Sequence, residues 1–297
     1  MSFPWLVLLR VAIAPVDSSA RSIVTAPAES LRVTTSGPQT GPVVVIIPGI
    51  VSPAYAFRRV LPPLAAAGIR AVVIEPLGFG ESSRPGRADY SHTAQAERVA
   101  AVMDSLQLSQ AVVMGQAVGA PIALRLALAR PDLIARLLLI DEGAVENSAV
   151  AGVDKALKYA FIVKLFAGRG RLKKELRKGL IACSGDTTWV TNEVLEGYTR
   201  GPAGDVGALL RGLKGMQRSV EPDSLTPRLN LIRVPVRLLV GGAPHKSGIA
   251  SKRIRDLQER VPIFSMETIP GAGLHIHEEQ PAVIVSELLR LAQKQRP

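Results

Sequence analysis

The stretch from Ala111 to Ala120 places the strongest constraint on how this chain can fold. It begins with an uninterrupted apolar run and continues into Gly115 and Gly119, which are separated by three residues. Pro121 to Arg130 then has a helical pattern. Because glycine lacks a Cβ, two glycines at this spacing let a strand and a helix approach closely at a tight turn. The stretch therefore predicts a buried strand, a sharp turn and a helix.

Other apolar runs of the chain alternate with helical segments in the same rhythm. Strands are predicted at 43–47, 71–74, 135–140, 234–240 and 263–269. The run at 43–47 is unbroken and β-branched, which is typical of a strand that is buried on both faces of a parallel sheet. Helices are predicted at 55–67, 93–106, 249–260 and 281–293. This alternation predicts an α/β fold with a doubly wound, mostly parallel sheet.

The alternation stops between Val145 and Leu229, where the chain is helical, basic and punctuated by glycine. An insertion between two halves of one sheet is most simply a lid over the crevice at the carboxyl ends of the strands. The sequence therefore divides into three parts: an N-terminal extension at 1–41, in which Ser30–Thr35 could form an edge strand, a core at 42–144 and 230–297, and a helical lid at 145–229.

The charge of the chain limits its partners. The formal net charge is +11, and nine Lys and Arg residues against two acidic ones fall between Asp154 and Lys178. No recognisable nucleic-acid-binding module accompanies this basic segment, so nucleic acid is not an expected partner. A solvated helical face is the main expectation, and weak contact of the basic lid with an anionic membrane is the alternative.

The cysteine count and the N-terminal segment bear on location. Cys183 is the only cysteine, so no intrachain disulfide can form and a reducing, cytoplasmic compartment is expected. The apolar stretch from Trp5 to Ala14 is shorter than the ~20 residues that a membrane-spanning helix needs, although it leaves membrane association open. Without a cysteine pair or a His-x-x-x-His spacing, no zinc site and no other cofactor is expected. The oligomeric state is left open.

Three more motifs, taken with the stretch at 111–120, carry a resemblance to a known family. Ile46-Ile47-Pro48-Gly49-Ile50 resembles an oxyanion-hole loop, and residues 75–82 are similar to the Asp-x-x-Gly-x-Gly-x-Ser turn of esterases, dehalogenases and epoxide hydrolases. Gly271 to Pro281 resembles a loop that carries a catalytic histidine. From Pro42 to its end the chain thus resembles the α/β-hydrolase superfamily. In that family a Gly-x-Ser-x-Gly nucleophile elbow lifts the serine above the sheet.

The resemblance places Ala117 at the position of the nucleophile. A methyl group cannot attack an ester, and the aspartate nucleophile of dehalogenases and epoxide hydrolases is absent as well. The resemblance further implies a base at His275, although counting back from the Glu278–Pro281 ending would put Leu274 in that place. His92, His245 and His277 are expected at the protein surface.

The acid and the oxyanion donors follow from the same resemblance. The loop after Val240 contains no carboxylate, so Glu142 is the predicted acid and Asp141 the alternative. Backbone N–H groups of Val118 and Ile50 are the predicted donors to a carbonyl oxygen, and Gln116 is a further substrate-binding residue.

Three functions are compatible with these residues. The first is a protein of ester or acyl hydrolase lineage that takes a small apolar, ester-like ligand and is nearly inactive because Ala117 replaces the serine, by natural loss or by engineering. The second is a non-catalytic protein that binds a small ligand in the same pocket. The third is an enzyme that works without a nucleophile and uses His275 as a base.

Overall fold

A single eight-stranded sheet organises the fold. The computed structural model describes residues 18–146, 169–200, 205–246 and 248–293. The strands are β1 Ser18–Ala26, β2 Glu29–Ser36, β3 Val43–Ile47, β4 Arg70–Ile74, β5 Ala111–Gln116, β6 Ile134–Ile140, β7 Val236–Gly241 and β8 Phe264–Ile269. Their spatial order is β1-β2-β4-β3-β5-β6-β7-β8. All pairs from β4 to β8 are parallel, and β1 and β2 join in antiparallel register.

Helices cover both faces of the sheet. They are α1 Leu61–Ala66, α2 His92–Ser105, α3 Gly119–Ala129, α4 Arg169–Ala182, α5 Asn192–Tyr198, α6 Val206–Arg218, α7 Ser251–Arg260, α8 Ile276–Glu279 and α9 Pro281–Gln293. Short 3-10 helices lie at Ala54–Phe57, Pro131–Leu133 and Thr226–Leu231. One hydrophobic cluster lies between the sheet and α2 and α3, and a second lies between the opposite face and α1 and α9. The predicted α/β fold with a mostly parallel sheet is confirmed.

The central strands owe their position to their composition. Every residue of β5 is buried, and β5 lies between β3 and β6 in the middle of the sheet. Side chains alternate across a strand, so a strand with apolar residues at every position loses water contact on both faces only when helices cover both. This location places the turn after β5 at the centre of the carboxyl-terminal edge of the sheet.

The N-terminal part of the chain adds two strands to the sheet. The stretch predicted to form an edge strand, Ser30–Thr35, lies within β2, and β1 pairs with β2 on its outer side. β1 is therefore the strand at this margin. Its register with β2 shifts between Val24 and Ala26, as at a β-bulge, and Val24 is 74% exposed.

The segment between β6 and β7 is helical where the structure describes it. Trp189 and Tyr198 pack into the hydrophobic cluster of α1 and α9, and Met216 packs into the cluster of α2 and α3. The predicted lid at 145–229 includes residues 147–168 and 201–204, which lie outside the described residues. Among the described residues, no helix has the length and apolar character that a membrane crossing requires.

The turn from β5 into α3 depends on close backbone contact. A Cβ placed at Gly119 would lie 2.0 Å from the carbonyl oxygen of Ile47, and one at Gly115 would lie 2.5 Å from the carbonyl oxygen of Gly119. Neither backbone atom can move away as a flexible side chain would. We call residues 115–119 the elbow.

Replacing Gly119 with Ala should destabilise the protein, because the new methyl group would force β3 and α3 apart. We expect a loss of about 2–3 kcal/mol in the free energy of unfolding, measured by urea denaturation. Gly179→Ala is the matched control, because Gly179 lies in α4 with no atom within 4 Å of a Cβ placed there. That variant should be neutral or slightly stabilising, since alanine favours helix. Equal losses in both variants would contradict the steric explanation.

Candidate active site at the carboxyl-terminal edge of the sheet

Four neighbouring strands bring polar and turn residues to one edge of the sheet. Ala117 follows β5, Asp141 follows β6, His245 lies in the loop after β7, and His275 lies in the loop after β8. Because the carboxyl ends of parallel strands share an edge, residues far apart in sequence meet there. The edge therefore collects the residues that the sequence singled out, together with His245.

Backbone bonds hold Ala117 in an unusual conformation at the elbow. Its φ is 49°, in the left-handed region that residues other than glycine seldom occupy. Its N–H donates to the carbonyl oxygen of Ile140 at 3.1 Å, and its own carbonyl oxygen accepts from Ala120 N–H at 2.8 Å. The side chain takes no part in holding this turn, so a different side chain could occupy it without changing those bonds.

The loop after β3 lies directly against the elbow. The side-chain oxygen of Gln116 accepts the Gly49 N–H at 2.9 Å, and Gln116 is 1% exposed. A Cβ placed at Gly49 would lie 3.2 Å from the methyl carbon of Ala117. No acceptor for the N–H groups of Val118 and Ile50 is found among the described residues. Val118 lies in the elbow and Ile50 in the loop against it, and the amino end of α3 adds a dipole that favours negative charge.

Asp141 and His245 form a buried pair. The distance from Asp141 Oδ2 to His245 Nε2 is 2.7 Å, and the distance from His245 Nδ1 to the carbonyl oxygen of Ala243 is also 2.7 Å. The carbonyl oxygen of Ala243 only accepts, so Nδ1 carries a proton, and one further proton is shared between Nε2 and the Asp141 carboxyl group. Burial opposes a charge on the imidazole, but the bonds to Ala243 and Asp141 outweigh it and raise the pKa of His245. Both nitrogens of His245 are therefore engaged by these two contacts, and neither is free to act as a base toward a third group.

The backbone around Asp141 adds to this arrangement. Asp141 is fully buried and has a φ of 51°, and its Oδ1 accepts the Gly241 N–H at 3.3 Å. The next residue, Glu142, is bonded through both carboxylate oxygens to Arg253 on α7, at 2.7 and 2.8 Å. The structure thus brings Asp141 to an imidazole, that of His245, and places the predicted acid Glu142 on the guanidinium of Arg253.

His275 is deeply buried beside aromatic rings. It is 1% exposed, its ring centroid lies 5.4 Å from that of Trp189, and its Nδ1 has no hydrogen-bond partner among the described residues. Burial, and to a lesser extent the charge of His245, lowers the pKa of His275 to about 4. At neutral pH the imidazole is uncharged. The neighbouring Leu274 donates its N–H to the carbonyl oxygen of Cys183 at 2.8 Å.

The expected surface position of the other histidines is wrong. His92 is 1% exposed, and His277 is fully buried with its ring stacked on Phe57 at a centroid distance of 4.8 Å. The side chain of His245 is 5% exposed. Helix α8, Ile276–Glu279, turns His277 inward. His92 is the first residue of α2, and its Nδ1 lies 3.3 Å from a carboxylate oxygen of Glu221. Histidine has no fixed preference for surface or core, so sequence alone could not place these rings.

A small cavity opens from the loop beside the elbow. It has a volume of about 50 Å³ and is lined by Ile50, Arg84 and apolar residues of α4, among them Leu172 and Leu176. Within the described residues, no group of three or more His, Cys, Asp or Glu side chains could hold a metal ion. The cavity therefore combines one guanidinium with apolar side chains, and His275 is not among its lining residues.

Comparisons with known proteins agree with this architecture. A family model described as alpha/beta hydrolase fold matches residues 42–173. A haloalkane dehalogenase of Mycobacterium marinum is 38% identical over 104 residues, which make up 35% of this chain and 35% of the dehalogenase. The uncharacterized hydrolase YugF of Bacillus subtilis is 27% identical over 245 residues, 81% of this chain and 86% of YugF. The structure of the epoxide hydrolase CorEH has a TM-score of 0.76 at 16% identity and covers 94% of this chain and 100% of that chain.

The chain has the α/β-hydrolase fold, which the family model matches over residues 42–173 and which the solved structures share. It spans between a third and about a half of the length of the first curated relatives that it matches.

The buried histidines should make the protein less stable in weak acid. The unfolded chain takes up protons near pH 6.5, whereas burial lowers the pKa of His275 to about 4 in the folded state. Stability is therefore complete above pH 6.5 and falls as the pH drops from 6.5 towards 4. His275→Gln should shrink the difference in unfolding free energy between pH 7.5 and pH 5 by about 2 kcal/mol.

Urea denaturation at the two pH values measures this effect. His92→Gln is a second case, because burial, followed by the nearby charge of Arg125, also lowers the pKa of His92 to about 4. Its pH dependence should shrink by a similar amount. If His275→Gln keeps the full pH dependence of the unchanged protein, the imidazole is protonated in the folded state.

Proposed function

We propose that this chain is a small-ligand-binding protein built on the α/β-hydrolase fold, in which Ala117 occupies the nucleophile position and no covalent intermediate forms. The observation that carries the proposal is the pairing of Asp141 with a doubly bonded His245 at 2.7 Å. Ala117 differs from a serine nucleophile by a single oxygen atom, so on its own it would leave the rest of the site intact. A carboxyl group already bonded to another imidazole supports the proposal that more than the nucleophile is lost.

The serine mechanism requires three groups that act together. A nucleophile attacks, an imidazole takes its proton, and a carboxylate orients the imidazole and stabilises its charge. Here the elbow carries a methyl group, His275 Nδ1 has no partner in the part of the chain that the structure describes, and Asp141 is bonded to His245. An imidazole whose pKa is about 4 and which no carboxylate of the described residues contacts is a weak base at neutral pH.

The features that remain are those of a binding site. The N–H groups of Val118 and Ile50 suit a carbonyl or other electron-rich oxygen, and Leu172 and Leu176 of α4 give the cavity beside Ile50 an apolar side. At about 50 Å³ this cavity is smaller than the ~300–1,000 Å³ of common ligand sites, so the proposed ligand requires the cavity to widen. The ligand we propose is therefore a small apolar molecule with one carbonyl oxygen, such as an ester. The segment between β6 and β7 would act as its lid.

The lineage of the site is a separate question. The sequence favours ester or acyl hydrolysis, whereas relatives carry the names haloalkane dehalogenase and epoxide hydrolase. If the ancestor was an esterase, the lost residue was a serine, and if it was a dehalogenase, the lost residue was an aspartate. Both restorations are therefore informative. A reaction that uses His275 as a base without a nucleophile is the third possibility, and its lowered pKa speaks against it at neutral pH.

The test is to restore each nucleophile. Under this proposal, neither variant should gain much activity. The rate of p-nitrophenyl butyrate hydrolysis by Ala117→Ser should rise less than about tenfold over that of the unchanged protein. The rate of bromide release from 1-bromobutane by Ala117→Asp should also rise less than about tenfold. The unchanged protein should bind p-nitrophenyl butyrate saturably without turnover. Ala67→Ser, at an exposed position after α1, is the control that adds a hydroxyl elsewhere.

A large gain would overturn the proposal. If Ala117→Ser raises ester hydrolysis by about 10³-fold or more, the base and its acid are intact and the chain is a hydrolase that lacks one group. A gain of that size with Ala117→Asp and bromobutane would assign the dehalogenase lineage in the same way. Absence of saturable binding to the unchanged protein would remove the binding function.

The basic lid carries a second proposal, weak contact with an anionic membrane. Helix α4 contains six Lys and Arg residues and one acid. Some of these cations have partners, such as Lys173 with Glu196 and Arg177 with Asn192, but Lys174 is exposed. Exposed cations attract anionic lipid by about 1 kcal/mol each near the surface, an attraction that salt screens.

Vesicle sedimentation tests this contact. Vesicles of phosphatidylcholine with phosphatidylserine should bind the protein more strongly than vesicles of phosphatidylcholine alone, and added salt should weaken the binding. Lys174→Glu should reduce it, whereas Arg255→Glu, an exposed change of the same size on α7, should not. Equal binding to both vesicle types would leave α4 as a solvated surface.

A further inference from the structure

A second cavity lies away from the elbow, between the N-terminal hairpin and the end of α5. Its volume is about 500 Å³, within the ~300–1,000 Å³ that small-molecule sites commonly occupy. Strands β1 and β2 form one wall, the 3-10 helix at Ala54–Phe57 and α1 form a second, and Gly197 and Arg200 form a third. Ala117, Asp141, His245 and His275 do not line it.

Packing contacts from α5 fix the side chain of Tyr55 in the wall of this cavity. A Cβ placed at Gly197 would lie 2.1 Å from the Tyr55 ring, so the glycine lets α5 pack directly against it. The ring also meets Tyr198 edge to face at a centroid distance of 6.3 Å. These contacts fix the orientation of the Tyr55 ring, and one side of the ring forms part of the cavity wall.

Two guanidinium groups lie over this same ring. The central guanidinium carbon of Arg58 is 4.6 Å from the ring centroid, and that of Arg200 is 5.9 Å from it. Arg58 is compensated by the buried carboxylate of Glu278 at 2.6 Å. Arg200 makes no ion pair with any acid in the described parts of the chain. Arg200 is thus the one guanidinium of the cavity wall without a carboxylate partner among the described residues, and it is exposed.

The acids of the cavity are already engaged. Both carboxylate oxygens of Glu75 accept backbone N–H groups, from Ala54 at 2.7 Å and from Glu81 at 2.6 Å. Glu81 lies 3.2 Å from the guanidinium of Arg32. Their negative charge still makes the cavity unfavourable for a dianion such as phosphate. A single negative charge that reaches Arg200 is the better match.

We propose that this cavity binds a small carboxylic acid with an apolar body, as a site separate from the elbow. The carboxylate bonds the guanidinium of Arg200, whose planar N–H groups match two carboxylate oxygens. The apolar body packs on the Tyr55 ring and on Leu61, which lines the cavity beside it. The site needs no group from the elbow and stands whether or not the elbow binds a ligand.

Titration calorimetry with octanoate tests the site, and octanamide is the neutral ligand of the same shape. Octanoate should bind at least tenfold more tightly than octanamide, and Arg200→Gln should remove that difference. Ala20→Trp, at an exposed position of β1 that lines the cavity, should weaken the binding of both ligands by filling the space. Arg255→Gln on α7 removes a charge outside the cavity and should leave octanoate binding unchanged.

Three results would overturn the proposal. Equal affinity for octanoate and octanamide would remove the role of charge. Unchanged octanoate binding in folded Arg200→Gln and Ala20→Trp would place the ligand elsewhere. An equal loss in Arg255→Gln and Arg200→Gln would show a general effect of net charge. Circular dichroism melting of each variant establishes that it is folded.

Discussion

The approach of Gly119 to the carbonyl oxygen of Ile47 is the contact on which the rest of this structure depends. A Cβ there would lie 2.0 Å from that oxygen, so the distance between β3 and α3 is set by the absence of a side chain. The same approach brings the loop after β3 against the elbow, where Gln116 bonds Gly49. The left-handed backbone of Ala117 and the neighbouring N–H donors follow from this packing. The geometry of the edge therefore persists although the side chain at its centre is a methyl group.

Local patterns were sufficient to predict most of the fold. The β-branched run at 43–47 became β3 without change, and the glycine spacing at 115 and 119 predicted the turn into α3. The helix predicted at 55–67 is instead a 3-10 helix at Ala54–Phe57 followed by α1, because Pro62 and Pro63 favour the first turn of a helix and not its interior. β1 was missed, since a polar strand gains its hydrogen bonds from β2 and not from an apolar pattern of its own.

The candidate site was less accessible to sequence. Asp141 and His245 are 104 residues apart, and their bond exists because β6 and β7 are neighbours in the sheet. The sequence placed Asp141 at a strand end as the alternative acid, but nothing in the pattern at 241–248 indicated that His245 would reach it. The burial of His92 and His277 could not be predicted either, because it depends on Glu221 and Phe57 from other parts of the chain. The chemistry of the site depends on contacts between residues that are distant in sequence, whereas the position of each strand depends on the pattern of a short stretch.

The irregular pairing of β1 has a consequence for how molecules of this protein meet one another. A strand at the margin of a sheet has N–H and C=O groups on its outer side that can pair with the margin of another molecule and begin a growing fibre. The register shift between Val24 and Ala26 bends the strand and breaks the regular spacing that such pairing requires. The hairpin that widens the sheet thereby also limits its extension from one molecule to the next, even though Val24 itself faces solvent.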